Sequence, residues 1–308
     1  APTRNYALRV TRMLPKLTFI DQTGDGRSDV VASFEDRVEV FRARPDGGFA
    51  PEPVAQTWFR LRTPAEIENR DATLYSTVAH LDGDGVADLC ISKSSGGLTT
   101  FASEVRLYRG VSGGGFEAKP AQVFEEASLG SLVSFVDVDG DGVAEMLQPA
   151  AEISLGAMVR ALFAKTFQVD VHVHRARVGA PFFEAEPVQT LGARFDLDLG
   201  SSTTVRSSPP LFGHDFNGDG VPDALMSDGG DRISLFSGTS EGAGRGRPFR
   251  SDAFIGLDGP TSGTTAVLAP GPSGRLPDVL VYYVGREDLR SQLLVHANRY
   301  RDGVDTAP

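Results

Sequence analysis

Short runs of alternating apolar and polar residues dominate the chain, and turn-forming residues separate them. VEVF at 38–41, EVRLY at 104–108 and VDVHVH at 169–174 alternate with a period of two. That period is typical of a β-strand that buries one face. Glycine occurs 35 times and proline 19 times in 308 residues, so turns interrupt the chain too often for long helices. The pattern predicts an all-β protein made of short strands.

A nine-residue segment recurs four times along the chain, at intervals of 57 to 78 residues. Its copies are DQTGDGRSD from Asp21, HLDGDGVAD from His80, DVDGDGVAE from Asp137 and DFNGDGVPD from Asp215. Each copy lies between two β-rich runs, and a third alternating run and a Phe-containing stretch follow it. This order predicts one four-stranded antiparallel unit for each copy, with the nine-residue loop between its first two strands.

The repeat predicts a single domain, residues 1–308, that forms a β-propeller of about five four-stranded blades. Radial repetition of this kind protects the edges of the sheets. The expected units are residues 15–60, 74–128, 129–200, 207–258 and 263–300. The fifth unit keeps Asp278 of the loop but has only three strands. We expect the N-terminal strand, residues 5–14, to supply the missing strand and close the ring.

Two insertions interrupt the repeat. Residues 60–73 are mostly polar and predict a loop between the first two units. In residues 153–166, apolar residues recur at i, i+3, i+4, i+7 and i+8, which predicts a short amphipathic helix in the third blade. The apolar face consists of Leu155, Met158, Val159, Leu162 and Phe163. We expect this face to pack on its own blade, and docking of a partner is the alternative.

The charge of the chain limits its partners. Asp and Glu number 41 and Lys and Arg 30, which gives a net charge of −11. An acidic protein repels nucleic-acid phosphates and anionic lipids, and it favours cations as partners. No apolar run is long enough to insert into a membrane. Cys90 is the single cysteine, so no internal disulfide forms, and the first residues match a processed mature chain or an excised domain.

Oxygen-bearing groups occupy positions 1, 3, 5, 7 and 9 of the repeated loops. Ca²⁺ takes six to eight oxygen ligands, and clustered carboxylates repel one another without a cation. Glycines at positions 4 and 6 allow the backbone to curl around an ion. In the fourth loop the expected ligands are Asp215, Asn217, Asp219, the carbonyl of Val221 and Asp223. In the third loop they are Asp137, Asp139, Asp141, Val143 and Glu145.

The first two loops are expected to bind calcium more weakly. A threonine hydroxyl replaces a carboxylate in the first loop, whose ligands are Asp21, Thr23, Asp25, Arg27 and Asp29. In the second loop His80 is a poor ligand for a hard cation, which leaves Asp82, Asp84, Val86 and Asp88. An EF-hand is excluded, because the flanks are strands and position 12 of the fourth loop is Met226. The loops therefore predict three or four structural calcium ions.

These residues resemble the FG-GAP, or VCBS-type, repeats of integrin α-subunit propellers and of many bacterial surface proteins. The shared pattern is D-x-[DN]-G-D-G-x-x-D, and Phe212 and Gly213 precede the fourth loop. The resemblance covers residues 15 to 300. It implies structural calcium, a secreted or cell-surface location, extracellular or periplasmic, and binding of a protein or glycan through one propeller face. Family propellers commonly have seven blades, which is the alternative to five.

Three other features have a simpler reading than a binding or catalytic role. Ser112 in GVSGG matches a nucleophile elbow, but it joins two predicted strands, which favours a hairpin turn. Asp170, His172 and His174 share one strand face, as in a transition-metal site, and a solvent-facing polar stripe is the preferred reading. The arginines of residues 244–250 are expected in an exposed loop, with contact to an anionic glycan or acidic protein as the alternative.

The sequence therefore predicts a binding or adhesion module and not an enzyme. A propeller lyase or hydrolase would require titratable residues on its innermost strands, and the expected innermost strands carry none. A polysaccharide lyase or hydrolase is one alternative, and a structural spacer in a larger surface protein is the other. Trp58 and Phe59 are expected to pack between blades, and stacking on a sugar ring is their alternative role.

Overall fold

The computed structural model describes residues 15–69, 72–96, 102–126, 133–151, 155–179, 181–198, 204–206, 210–227, 232–239, 248–256, 264–268, 276–282, 293–296 and 298. Within these ranges the chain forms twenty β-strands and two short helices. The strands form five antiparallel sheets that follow one another in chain order. The predicted all-β class is confirmed.

Each sheet is built from strands that are neighbours in sequence. The first contains β1 (Lys16–Ile20), β2 (Asp29–Ser33), β3 (Arg37–Phe41) and β4 (Ala55–Trp58). The second contains β5 (Ala72–Ala79), β6 (Asp88–Ser95), β7 (Ala102–Tyr108) and β8 (Gln122–Glu126). The third contains β9 (Ser134–Val136), β10 (Glu145–Ala150), β11 (Thr166–His174), β12 (Gln189–Asp198) and β13 (Thr204–Arg206). The fourth contains β14 (Leu211–His214), β15 (Asp223–Ser227), β16 (Arg232–Gly238) and β17 (Phe249–Gly256), and the fifth β18 (Thr264–Leu268), β19 (Asp278–Tyr282) and β20 (Leu293–His296).

The strand counts agree with the predicted units except in the third sheet. The first, second and fourth sheets have four strands, and the fifth has three within the described ranges. The third sheet has a fifth strand, because β13 pairs with the end of β12 beyond the predicted limit of that unit. The expected closing strand, residues 5–14, lies outside the described residues.

Successive sheets pack face to face. Val31 and Val40 of the first sheet contact Leu89 and Ile91 of the second in one buried cluster. Further clusters of the same kind join the second sheet to the third, the third to the fourth and the fourth to the fifth. The second, third and fourth sheets are therefore covered on both faces, which explains why their strands bury alternate residues on either side.

The insertion predicted as a loop at residues 60–73 contains a helix, α1 (Pro64–Asn69), so that prediction is wrong. The Glu66 carboxylate accepts a hydrogen bond from the Thr63 N–H at 2.7 Å, and the Thr63 hydroxyl accepts one from the Glu66 N–H at 3.2 Å. This reciprocal pair is a capping box, with Pro64 at the first helical position. The segment TPAE carried this signal in the sequence.

The helix predicted within residues 153–166 is confirmed as α2 (Leu155–Ala164). Packing of its apolar face on the blade is wrong for Val159, Leu162 and Phe163, because all three are exposed and Phe163 is 87% accessible. Ala161 is buried instead. Within the described ranges neither helix is long and apolar enough to span a membrane.

Side chains of the outer strands bind the backbone of the next repeat. The Gln122 amide donates to the Phe183 carbonyl at 2.8 Å and accepts from the Phe183 N–H at 2.9 Å. Gln189 makes the same pair of bonds with Phe249, and both of its distances are 2.9 Å. In the first sheet the Thr57 hydroxyl accepts from the Phe116 N–H at 3.2 Å. These bonds hold neighbouring sheets in register.

Substitution of Gln122 by Ala is expected to lower the free energy of unfolding by about 1–3 kcal/mol, because it leaves both backbone groups of Phe183 unpaired at the interface. Chemical denaturation of the folded protein measures this loss. Gln56→Ala is the matched control, because Gln56 is exposed and bonds only the Glu39 side chain among the described contacts. Equal losses in the two variants would contradict the bridging role of Gln122.

Candidate metal-binding loops

The four repeated loops occupy the same place in the first four sheets. Each loop connects the first strand of its sheet to the second. The loops are therefore the turns of the hairpins β1–β2, β5–β6, β9–β10 and β14–β15. The fixed register of each hairpin positions all nine loop residues relative to the sheet. The residues predicted to bind calcium therefore lie together within each loop.

The position 1 aspartate shapes the loop by accepting backbone hydrogen bonds. Asp137 accepts from the N–H groups of Gly140, Asp141 and Gly142 at 2.7, 3.1 and 2.9 Å. Gly140 and Gly142 have φ angles of 77° and 90°, which favour glycine. Asp21 and Asp215 accept equivalent bonds in the first and fourth loops.

The residue at position 7 closes the turn in all four loops. Its N–H donates to the position 5 carboxylate at 3.1 Å in the first loop and at 2.8 Å in the other three. The donors are Arg27, Val86, Val143 and Val221, and the acceptors are Asp25, Asp84, Asp141 and Asp219. The turn thereby brings positions 5 and 7, two of the predicted ligand positions, against each other.

The position 9 acid is buried and connects the loop to the third strand. Asp223 accepts from the Phe216 and Asn217 N–H groups at 2.7 and 3.2 Å, and from the Gly238 N–H at 3.0 Å. Asp29, Asp88 and Glu145 make corresponding bonds in the other loops. In the fifth sheet Asp278 accepts from the Asn298 N–H at 2.7 Å.

This connecting role was not predicted from the sequence, which assigned position 9 to the metal alone. The available signal was the retention of Asp278 in a loop that has lost its other acids. Because each carboxylate oxygen has two lone pairs, the bonds to the backbone leave acceptor capacity for an ion. The position 9 acid therefore accepts hydrogen bonds from the backbone and can also bind an ion.

Burial raises the pKa of three of these acids. The pKa rises to about 7 for Asp88 and for Glu145, and to about 6 for Asp223. Desolvation of the charged carboxylate is the largest cause, and neighbouring loop carboxylates add to it. A cation beside these groups would favour their charged form.

The third loop brings three carboxylates together most closely. Oxygen atoms of Asp137, Asp139 and Glu145 all lie within 4.8 Å of one another. Burial and the charges of Asp141 and Asp137 raise the pKa of Asp139. Hard oxygen donors at this spacing suit Ca²⁺ and offer no nitrogen or sulfur to a softer metal.

In the fourth loop an amide lies between the carboxylates. The Asn217 amide donates to Asp219 at 3.0 Å and to Asp223 at 3.5 Å, while its oxygen accepts from the Asp219 N–H at 2.9 Å. Rotation of this amide by 180° exchanges its nitrogen and oxygen. Asn217 thus either links the two carboxylates or offers its oxygen to a cation.

The first loop contains a hydroxyl in a position suited to a ligand. Thr23 is buried, and its Oγ1 has no hydrogen-bond partner. Asp25 forms ion pairs with Arg27 at 2.8 Å and with Arg42 at 3.5 Å. These arginines are about half exposed, so the pairs are weak and an ion can displace them at small cost.

The second loop differs from the other three in having no acid at position 1. His80 is exposed, and the Asp84 N–H donates to Asp82 at 3.2 Å instead of to a position 1 carboxylate. Asp82 is buried and forms an ion pair with Arg109. The loop therefore lacks the first ligand of the predicted set.

The other features singled out in the sequence have structural roles where the chain is described. His174 is fully buried against Phe124 of the second sheet, with ring centroids 4.9 Å apart, so the predicted solvent-facing stripe is wrong at this residue. Asp170 and His172 are half-buried. Ser112 lies in a turn after β7 with no helix following, as predicted. Phe59 is buried against Tyr108, whereas Trp58 is 60% exposed, so packing between blades is correct for Phe59 alone.

Cys90 is buried in β6. Of residues 244–250, only 248–250 are described, and Phe249 begins β17.

A cavity of about 490 Å³ lies between the first strands of the second, third and fourth sheets. Its lining consists of Thr77, Ala79, Val133, Ser134, Phe135, Val136, Pro210, Leu211 and Phe212. None of these nine residues has a titratable side chain. The described part of its lining is therefore mostly apolar.

Comparison with solved structures gives 18 matching chains, and two of them show a low level of similarity. A lectin from Agrocybe aegerita, solved for its recognition of non-reducing terminal N-acetylglucosamine, is 15% identical. The match covers 93% of this chain and 81% of the lectin, with a TM-score of 0.38. An α-L-arabinofuranosidase from Fusarium graminearum, in complex with an iminosugar inhibitor, is 10% identical, with coverages of 92% and 76% and a TM-score of 0.39. TM-scores this low do not bear on fold or function.

Sequence comparison identifies one family. No curated protein matches the chain. Residues 80–147 match the FG-GAP-like repeat, a span that runs from the start of the second loop through the whole third loop. The resemblance predicted from the sequence is thereby confirmed: residues 80–147 have an FG-GAP-type repeat fold.

Proposed function

We propose that this chain is a calcium-stabilised β-propeller that binds a protein or glycan ligand as a secreted or cell-surface module. The observation that carries the proposal is the convergence of Asp137, Asp139 and Glu145 within an FG-GAP-like repeat. Buried carboxylates that repel one another gain stability when a divalent cation neutralises them. The calcium would be structural, because the loops hold hairpins together.

A closed ring of about five blades is part of this proposal. Packing of successive sheets in chain order is the arrangement of propeller blades. The first sheet exposes Leu17 and Phe19 on the face turned away from the second sheet, and the fifth exposes Leu293 and Val295 on the face turned away from the fourth. Ring closure would bury both apolar faces against each other, with residues 5–14 as the last strand.

The binding role is proposed from the surfaces of the fold. Helix α2 presents Val159, Leu162 and Phe163 to solvent, and an exposed apolar group of this kind favours contact with a protein partner. The described residues that line the cavity between the inner strands carry no titratable side chain, which favours binding over catalysis. The secreted or surface location is proposed from the FG-GAP-like repeat and from the net charge of −11.

Calcium is expected to raise the melting temperature of the protein by several degrees relative to a chelator, and Mg²⁺ to raise it less. A site that is saturated at 100 times its dissociation constant adds about 2.7 kcal/mol to the free energy of unfolding. Asp219→Asn should reduce the calcium-dependent rise, since it removes a charged ligand of the fourth loop. Differential scanning calorimetry in calcium, magnesium and chelator measures the effect.

Asp278→Asn is the matched control for this experiment. It removes a half-buried position 9 acid that bonds Asn298, from a loop that lacks the other acids. The variant should melt at a lower temperature but keep the full rise with calcium. Coincident melting curves of the wild type in calcium and chelator would contradict the proposed metal role.

The calcium-dependent rise is also expected to grow as the pH increases from about 5 to 8. In the metal-free protein Glu145 and Asp223 have pKa values above those of an unfolded chain, so their protonated forms favour folding. That contribution is complete below the unfolded pKa, near 4, and is lost as the pH rises through 6 to 7. Calcium binds the charged form, so its effect increases over the same range.

Melting temperatures with calcium and with chelator, taken at each half unit of pH, measure this difference. Glu145→Gln should flatten the pH dependence, because it removes one of the titrating groups. A rise with calcium that stays constant from pH 5 to 8 would count against the binding of calcium to these acids.

A further inference from the structure

An arginine directly follows the third strand of the repeat in the first three sheets. Arg42, Arg109 and Arg175 stand directly before the residue whose N–H bonds the position 9 acid in each repeat. In the fourth sheet Ser237 holds this place, before Gly238. This position therefore supplies a positively charged side chain to three loops and none to the fourth.

The arginine of the second repeat contacts a buried acid. Arg109 Nη2 lies 3.5 Å from Asp82 Oδ2, and the Asp82 side chain is 3% exposed while that of Arg109 is 33% exposed. A carboxylate withdrawn from water in this way requires a partner charge. The guanidinium of Arg109 also lies 5.9 Å from the ring centroid of Phe182 in the next repeat, which adds a weak cation–π contact.

In the first and third repeats the arginine does not take the place of an ion. In the first, Arg42 pairs at 3.5 Å with Asp25, which is more exposed and already has Arg27 at 2.8 Å. In the third, Arg175 interacts electrostatically with Asp139, but Asp137 and Glu145 add two more carboxylates. One guanidinium does not neutralise that group of acids.

The second repeat alone combines a buried Asp–Arg pair with a missing position 1 acid. His80 is exposed and supplies no carboxylate to the loop. We propose that Arg109 takes the place in this repeat that a divalent cation takes in the others, so that the second loop folds without metal. This inference rests on the proposed function, since it requires that ions bind the other loops.

The chemistry of arginine suits this role. Its charge persists at every pH at which the protein is folded, and its planar donors match a carboxylate. Because the arginine is part of the chain, it loses no translational entropy of its own on folding, unlike an ion that is bound from solution. A divalent ion entering this loop would have to displace a resident cation from a buried carboxylate, which opposes its binding.

The decisive experiment counts calcium ions per chain by native mass spectrometry in position 5 variants. Asp84→Asn in the second loop should leave the number of ions unchanged, whereas Asp141→Asn in the third loop should lower it by one. The double variant H80D/R109S restores the position 1 acid and removes the arginine. It should bind one ion more than the wild type.

Melting temperatures in chelator test the arginine itself. Arg109→Met keeps the length and packing of the side chain but removes its charge, and it should melt at a lower temperature, while Arg109→Lys should retain most of the stability. Calcium should recover the lost stability in H80D/R109S. Arg42→Ser is the matched control at the equivalent position and should have little effect, because Asp25 keeps Arg27.

The outcomes separate this inference from the proposed function. Loss of an ion in Asp84→Asn, no added ion in H80D/R109S, or unchanged melting of Arg109→Met in chelator would each overturn the role of Arg109 alone. Absence of calcium from the wild type and from Asp141→Asn would overturn the proposed calcium function, and with it the substitution of an ion by arginine.

Discussion

The bonds of the buried acid at loop position 9 organise each repeat. The same carboxylate accepts a hydrogen bond from the start of the loop and another from the end of the third strand, as Asp223 does with Phe216 and Gly238. Three strands thus converge on one side chain. Because the acid is withdrawn from water, an unpaired backbone group or an uncompensated charge at this point would cost several kcal/mol. The rest of the loop is arranged around this constraint.

Charge compensation follows from that burial. Each loop adds further carboxylates beside the position 9 acid, so the group must take up a proton, hold a metal ion or pair with a basic side chain. The raised pKa values of Asp88 and Glu145 reflect the first response, the oxygen cluster of the third loop suits the second, and Arg109 provides the third. The repeats therefore share a backbone conformation and differ in how they neutralise the charge of their carboxylates.

Face-to-face packing of the sheets decides which residues are buried. The third sheet lies between two others, so both faces of β11 are covered and His174 has no access to solvent. The first sheet has a described neighbour on one side only, and Leu17 and Phe19 remain exposed on the other. Hydrogen bonds such as those between Gln122 and Phe183 are directional, unlike the apolar contacts, and they hold neighbouring sheets in register.

Much of the local structure could be predicted from the sequence, because a period of two and a Gly-rich acidic motif depend on neighbouring residues alone. The strands, the loop hairpins and helix α2 follow from such patterns. The capping box of Thr63 and Glu66 was also visible, although the polar composition of the segment favoured a loop. The position 9 acids were read only as ligands, since the hydrogen bonds from Ala43 or Gly238 come from residues 14 or 15 positions away.

The sequence by itself determined the repeat, the all-β class and the acidic loops with their candidate ligands. Tertiary structure decided which sheet faces are covered, that Phe163 projects outward and that Arg109 meets Asp82. The physical reason is the range of the interactions. A strand or turn is specified by residues close in the chain, whereas burial and charge pairing depend on elements that folding brings together from distant parts of it.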